Sequence, residues 1–358
     1  MSQLTANDLT LTSTSTAKPA VSPAEWRKRG RDDVKLLVID DPRNAITHCG
    51  FTQLAACLQA GDLVIVNTSA TMTAALPACF QGAPLRLHVA VELPDGAYIV
   101  ERRGADGAPD PTPFANGDRV QIGDCTVTIA GAYHPDTRLW IAQAQQPLWT
   151  LARQLGEPIR YDYIQADVPI RDYQTIFARV PGSAEMPSAG RPFTHRSLRE
   201  LARRGVQIRS LTLHTGLSSH EVQGRLDDHP VLPEWYTIPA ATAAAIRSAI
   251  QDGRRIVAVG TTVVRALEGV WNERKEIAEC SGWTRHLVTP DTPPQIVSAL
   301  ITGMHDNHTS HLALLLAFAK RPLLERGYCE ALERGYEWHE FGDVSLVVRS
   351  GDSVQSIE

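Results

Sequence analysis

The sequence predicts an α/β main domain with a small antiparallel β-barrel inserted into it, and three observations carry this. Short apolar runs alternate with helical patterns in both terminal parts of the chain, as in parallel sheets whose strands are joined by crossover helices. Between 76 and 145 that alternation gives way to short β-branched or alternating runs separated by Gly, Pro and Asp turns, a pattern of small barrels or sandwiches. Helical spacing then returns in QPLWTLARQLGEP (146–158). The expected organisation is a Ser/Thr-rich disordered tail at 1–20, an α/β domain from 21–75 and 146–358, and a β-barrel from 76–145.

Each element has its own signal. VKLLVIDD (34–41) is an apolar run bounded by charge, which reads as a buried strand. FTQLAACLQAGD (51–62) places Phe51, Leu54 and Leu58 at helical spacing before a stop at Gly61. DLVIVNTSA follows as a second buried strand, with Asn67 near its end. The inserted region contributes LRLHVAVEL, GAYIVERR, DRVQIG, CTVTIAGAY and RLWIAQ. VQIRSLTLHTG (206–216) is a strand ending in a glycine turn, and AATAAAIRSAIQDG (240–253) is a helix closed by Gly253. RRIVAVGTTVVRALEGVW (254–271) and PQIVSALITGMHDNHTSHLALLLAFAKRP (294–322) both run strand, polar turn, helix. YEWHEFGDVSLVV (336–348) closes the chain with a turn at Gly342-Asp343 and a final strand.

Composition excludes several classes. The chain has 358 residues, enough for two cores. A net charge of -5 gives no blanket attraction to nucleic acid, so any RNA contact needs a local patch. The six cysteines form no C-x-x-C pair and no zinc spacing, which suits free thiols in a reducing cytoplasm. The longest apolar run, LALLLAFA (312–319), is too short to span a membrane. No secretory signal is expected, and a monomer is.

Polar residues collect just after buried strands, where α/β sheets place their sites. Thr261 and Thr262 stand at a helix N-terminus, where free N–H groups and hydroxyls suit a carboxylate or phosphate. Arg265 and Glu268 follow at i,i+3 spacing, which also fits a plain surface ion pair on a capped helix. His214 lies at a strand end. His305, Asp306, His308 and His311 crowd one loop, yet their H-x-x-H spacings match no zinc helix or facial triad, so no metal is expected. Asp343 sits in a turn. Arg196, Arg199 and Arg203 share one face of a short helix, which suits either phosphate contact or solvent.

Taken together and in order, KLLVID, GDLVIVNTS, DYQTIFARVPGSAEMPSAGRPFT, LTLHTG, VAVGTTVVRALE, ALITGMH and FGDVSLVV resemble the S-adenosylmethionine:tRNA ribosyltransferase-isomerase family of queuosine biosynthesis. The resemblance covers roughly 22–349 and implies an α/β domain with an inserted barrel. It implies that S-adenosylmethionine, as co-substrate, gives its ribosyl group to an aminomethyl-7-deazaguanine in a tRNA anticodon loop. The product is epoxyqueuosine, with adenine and methionine released. The positions that match the family's motifs are Tyr173, Gln174, Thr175, Pro187, Gly190, Phe193, Thr194, Gly216, Gly260, Thr261, Thr262, Arg265 and Glu268, together with His214, His305 and Asp343. His214 or His305 is expected to move the proton, the 260–265 turn to hold the methionine carboxylate, and Phe193 or Tyr173 to form a stacking wall. The sequence departs from the family at NTSATMTAA (67–75), which lacks two arginines, and at MPSAGRPFT (186–194), which has Arg191 and Pro192 in place of Leu and His. Two other readings stay open: a paralogue using the same donor on a small-molecule amine, and a non-catalytic tRNA- or nucleotide-binding module.

Overall fold

The computed structural model describes residues 4–11, 17–134, 138–164, 166–217, 222 and 224–349. A nine-stranded mixed sheet forms the main domain. Its order is Cys280–Thr284, Glu234–Ile238, Gln207–Leu213, Leu63–Asn67, Ile256–Val259, Ala299–Gly303, Val344–Val348, Lys35–Asp40 and Ala45–Gly50. The four strands from Gln207–Leu213 to Ala299–Gly303 run parallel, so their carboxyl ends share one edge. The next strand, Val344–Val348, is antiparallel to Ala299–Gly303 and brings residues 339–343 to the same edge.

Alternation along the strands divides the core. In Leu63–Asn67, Leu63 and Ile65 face the helices Ala240–Gln251, Thr261–Arg274, Ser310–Phe318 and Arg321–Glu333. Val64 and Val66 face Phe51, Leu54, Phe193 and Leu201 on the other side. Both faces are covered, which is why these strands read as continuous apolar runs.

The inserted region closes into a six-stranded antiparallel barrel. Five of its strands correspond to the runs read from sequence. The sixth, Ala75–Phe80, is short and carries Pro77 and alternating exposure, which hid it. The helix Leu148–Leu155 caps the barrel with Leu148, Leu151 and Ala152. A backbone bridge between Ala75 and Glu157 ties the chain's entry to its return.

Two other expectations are corrected. The helix expected over 51–62 is one irregular turn, Phe51–Gln53 followed by Leu54–Cys57, because Leu58 already turns extended. The expected tail is in part packed structure. Leu9 and Leu11 are buried in the main core, and Lys18–Pro19 pairs in parallel with Glu337–Trp338. Residues 1–3 and 12–16 of that segment lie outside the described residues. Polar composition masked two leucines that carry the packing. Replacing Leu9, which is fully buried, by Ala is expected to cost about 2–4 kcal/mol of stability, read as a lower urea midpoint. A true tail residue would leave the midpoint unchanged.

Candidate active site

The shared strand edge opens into a cavity of about 380 Å³. Its lining draws on three of the four parallel strands that end there: Thr215 to Leu217, Gly260 to Thr262 with Arg265, and Thr302 to Asn307. The loop 185–189, the segments 229–232 and 287–288, the start of the helix Ser310–Phe318 and residues 339–340 add to it.

Gly260 carries φ +97, a backbone that only glycine adopts freely, and this turns the strand into the helix Thr261–Arg274. The helix's first bonds run from Val263 and Val264 to Gly260 O. The N–H groups of Thr261 and Thr262 therefore have no helical acceptor, and both residues line the cavity, where a helix N-terminus suits an anion. Asn67 fixes this corner. Its carboxamide bonds both backbone groups of Leu213 (2.8 and 3.0 Å), accepts from Ser69 N (3.0 Å), and reaches Thr262 Oγ1 at 3.5 Å. Arg265 pairs with buried Glu234 at 2.7 Å, and burial raises the Glu234 carboxyl above its ordinary value.

Arg265 and Glu268 do not form the surface pair their spacing allows. Glu268 points the other way, buried, and accepts from the backbone N–H groups of Gln295, Ile296 and Val297 at 2.8–3.0 Å. It holds the approach to the strand Ala299–Gly303 and does not line the cavity.

His305 lies in the cavity wall. Its Nε2 is 2.7 Å from Thr302 Oγ1, and its ring stacks on His311 at 4.5 Å. Burial, and then the neighbouring His311 and His339, hold His305 well below the ordinary imidazole range. Burial pushes His311 down to about 4. Both rings are therefore neutral at pH 7. Asp306 sits beside His339 at 3.6 Å.

The aromatic wall differs from the expected one. Phe193 is fully buried in the core, edge-on to Phe51 and Phe177. Tyr173 packs on Phe341 in a separate cluster. The wall is instead a stack of Tyr161, Tyr163 and His339, with centroids 5.9 and 4.3 Å apart. The Tyr161 hydroxyl donates to Glu185 and the Tyr163 hydroxyl to Glu340. Burial raises the Glu340 carboxyl to about 7, against the lowering effect of the Tyr163 hydrogen bond.

Of the other positions singled out in sequence, Pro187 and Gly216 line the cavity. Gln174 bonds the backbone of Thr71, Thr175 accepts from Phe177 N, and Thr194 caps the helix His195–Arg203. Gly190 lies in a buried turn. Asp343 is buried and accepts from Lys35 N (2.6 Å) and Glu337 N (2.8 Å). Its oxygens thus tie the backbone and are not offered to the cavity. Arg191 is buried too, clamped to Glu25 and lying over the Phe341 ring at 4.7 Å. His214 opens on a second cavity, apart from His305. Among the described residues, no group of three or more His, Cys, Asp or Glu side chains is placed to hold a metal ion.

The sequence signals for the missed residues were thin. YDY (161–163) sits in a loop and HE (339–340) precedes a turn; only folding stacks them.

The position of Glu340 has a stability consequence. Its carboxyl ionises near 4.5 when free and near 7 when folded. Between those values the folded state holds the extra proton, so stability falls as pH rises and levels off above about pH 7. Glu340→Gln removes this penalty. It is expected to match the parent protein at pH 4 and exceed it at pH 8 by about 1–2 kcal/mol, read from urea midpoints at both values. An equal shift at both would show that the carboxyl is not raised.

Residues 8–347 match the family described as queuosine biosynthesis protein. The chain is 31% identical over 341 residues to the S-adenosylmethionine:tRNA ribosyltransferase-isomerase of Heliobacterium modesticaldum, covering 92% of this chain and 97% of that protein. It is 32% identical over 325 residues to the Thermus thermophilus enzyme of the same name, covering 89% and 93%. A solved S-adenosylmethionine tRNA ribosyltransferase from Thermotoga maritima is similar with a TM-score of 0.50 at 25% identity, covering 89% of this chain and 93% of that one. A family match over residues 8–347, with relatives 31% and 32% identical across 92% and 89% of the chain, places this protein in the queuosine biosynthesis protein family.

Proposed function

We propose that the protein transfers and isomerises the ribosyl group of S-adenosylmethionine onto an aminomethyl-7-deazaguanine of a tRNA anticodon loop, giving epoxyqueuosine and releasing adenine and methionine. The carrying observation is the lining of the main cavity, which supplies an anion-binding helix end, neutral imidazole and an aromatic stack in one space. Its volume suits a ligand of cofactor size.

The chemistry needs a carboxylate clamp, a base and a flat slot. The free N–H groups of Thr261 and Thr262 take the methionine carboxylate, with Arg265 adding positive charge one turn on. The sulfonium acidifies the adjacent ribose C5′, and neutral His305 removes that proton. With its own proton on Nε2 toward Thr302, His305 keeps a lone pair on Nδ1, which makes no hydrogen bond among the described residues. Glu340, half protonated near pH 7, suits proton delivery to the departing adenine. The ylide rearranges the sugar as adenine leaves with a proton, the amine bonds to the sugar and gives up a proton, and a sugar oxygen displaces methionine as it closes the epoxide. The stack of Tyr161, Tyr163 and His339 offers a π face to a purine or deazapurine. Arg196, Arg199 and Arg203 are exposed along the helix His195–Arg203, where they support contact with RNA phosphates.

Adenine release from S-adenosylmethionine tests this reading. It is expected only with tRNA bearing the precursor base. Release with a small amine instead would shift the acceptor, and no release with either would overturn the proposal. His305→Ala is expected to lower kcat by about 100-fold or more while the S-adenosylmethionine Kd stays within about threefold, read by single-turnover kinetics and calorimetry.

A further inference from the structure

A second cavity of about 340 Å³ lies between the barrel and the outer strands of the main sheet. The barrel strand Ala83–Glu92 and Leu93 form one side, and Trp149 stands beside them. Trp235 and Trp283, on neighbouring sheet strands, meet edge to face at 5.4 Å on the other. Pro181, Gly182 and His214 form the floor. We infer that this cavity receives one unstacked base of the RNA acceptor, a neighbour of the base that reacts in the main cavity. The inference rests on the RNA acceptor proposed above.

The walls select for a planar aromatic ligand. All three indoles are half-buried, so each keeps exposed surface toward the space. The floor is built closely around His214. A Cβ on Gly182 would sit 2.5 Å from the imidazole ring, so the ring lies directly on glycine backbone. Its Nδ1 is held by Ser69 Oγ at 2.7 Å, and Ser69 is held in turn by Ser183 at 2.6 Å. This leaves Nε2 with no hydrogen bond among the described residues, as a polar handle in a space lined by the three indoles, by aliphatic Val91, Leu93 and Pro181, and at its rim by exposed Glu92. An aliphatic partner would not use a fixed imidazole edge, whereas a base offers both a π face and ring nitrogens to it.

Charge points to a nucleic acid strand. Arg179 lies two residues before Pro181, and Arg285 two residues after Trp283. Both are exposed and make no ion pair among the described residues. Exposed arginines close in sequence to the floor and to one indole wall fit the combination that single strands use, with phosphates on cations and bases on rings.

The two cavities are back to back. Residues 183–185 and 214–216 form the partition, joined by Ala184 N to Thr215 O at 2.8 Å and Thr215 N to Ser183 Oγ at 3.0 Å. Thr215 and Gly216 face the main cavity while His214 faces the second. A strand that crosses this partition places adjacent bases on its two sides.

The double variant Trp235→Ala with Trp283→Ala tests the inference, assayed with an anticodon stem-loop RNA bearing the aminomethyl-7-deazaguanine at saturating S-adenosylmethionine. KM for the RNA is expected to rise at least about tenfold, with the S-adenosylmethionine Kd unchanged. An abasic substitution at one loop position beside the target should raise the native protein's KM similarly and add nothing in the double variant. An unchanged KM in the double variant, or additive losses at every abasic position, would overturn the inference. Should the variant lose S-adenosylmethionine binding and so report misfolding, the abasic series on the native protein decides, and its silence at every position overturns the inference. Quenching of native tryptophan fluorescence by the stem-loop reads the cavity without turnover. Quenching without adenine release would sink the proposed reaction and leave the second site standing.

Discussion

The site depends on one buried carboxamide. Asn67 lies at the carboxyl end of a central strand and satisfies both backbone groups of Leu213 on the next strand. It also fixes the turn at Ser69 and touches the first turn of the helix that begins at Thr261. A buried side chain that meets this many backbone groups leaves little freedom in how three strand ends sit relative to one another. Where those ends sit determines where the anion-binding helix end, the His214 turn and the barrel's entry lie.

From that corner the chain serves two spaces with one partition. The residues 183–185 and 214–216 are too short to form a separate layer, so Glu185, Thr215 and Gly216 line one cavity while His214 lines the other. The two histidines follow different strands, Ala299–Gly303 and Gln207–Leu213, and reach different cavities. His305 joins a crowded group of titratable side chains that burial keeps neutral. His214 sits among indoles, fixed by a serine pair. The tight approach of Gly182 and the bulk of Val91 and Leu232 around Gly216 leave no slack in this wall.

The loop SAEMPSAGRPFT shows how identity and role separate. Its small residues lie where they allow close approach, with Pro187 to Ala189 lining the main cavity. Its largest side chains look inward. Phe193 fills the core, and Arg191, a departure from the family pattern, is a structural clamp between Glu25 and the Phe341 ring. That substitution is therefore accommodated beneath the cavity and not within it. The arginines missing from 67–75 fall at Ala70 and Ala75, and Ala75 is buried at the barrel entry among apolar neighbours.

Local patterns made much of this legible. Apolar runs marked the central strands because both sheet faces are covered, and turn residues marked the barrel because they separate its successive β-rich runs. Ordered motifs marked the family, and the Gly-Thr-Thr turn marked the helix end. The sequence could not show which motif residues face the ligand, because a motif keeps structural and contacting residues alike. Glu268, Asp343, Phe193 and Thr194 hold backbone or core. Nor could spacing reveal Tyr161, Tyr163, His339 and Glu340, which lie far apart in sequence and meet only when the antiparallel strand Val344–Val348 returns to the parallel edge. Sequence alone determined the elements and their kinship, since those follow from local periodicity and order. Tertiary structure alone decided the site, since burial, stacking and raised or lowered acidity arise only between residues that folding brings together.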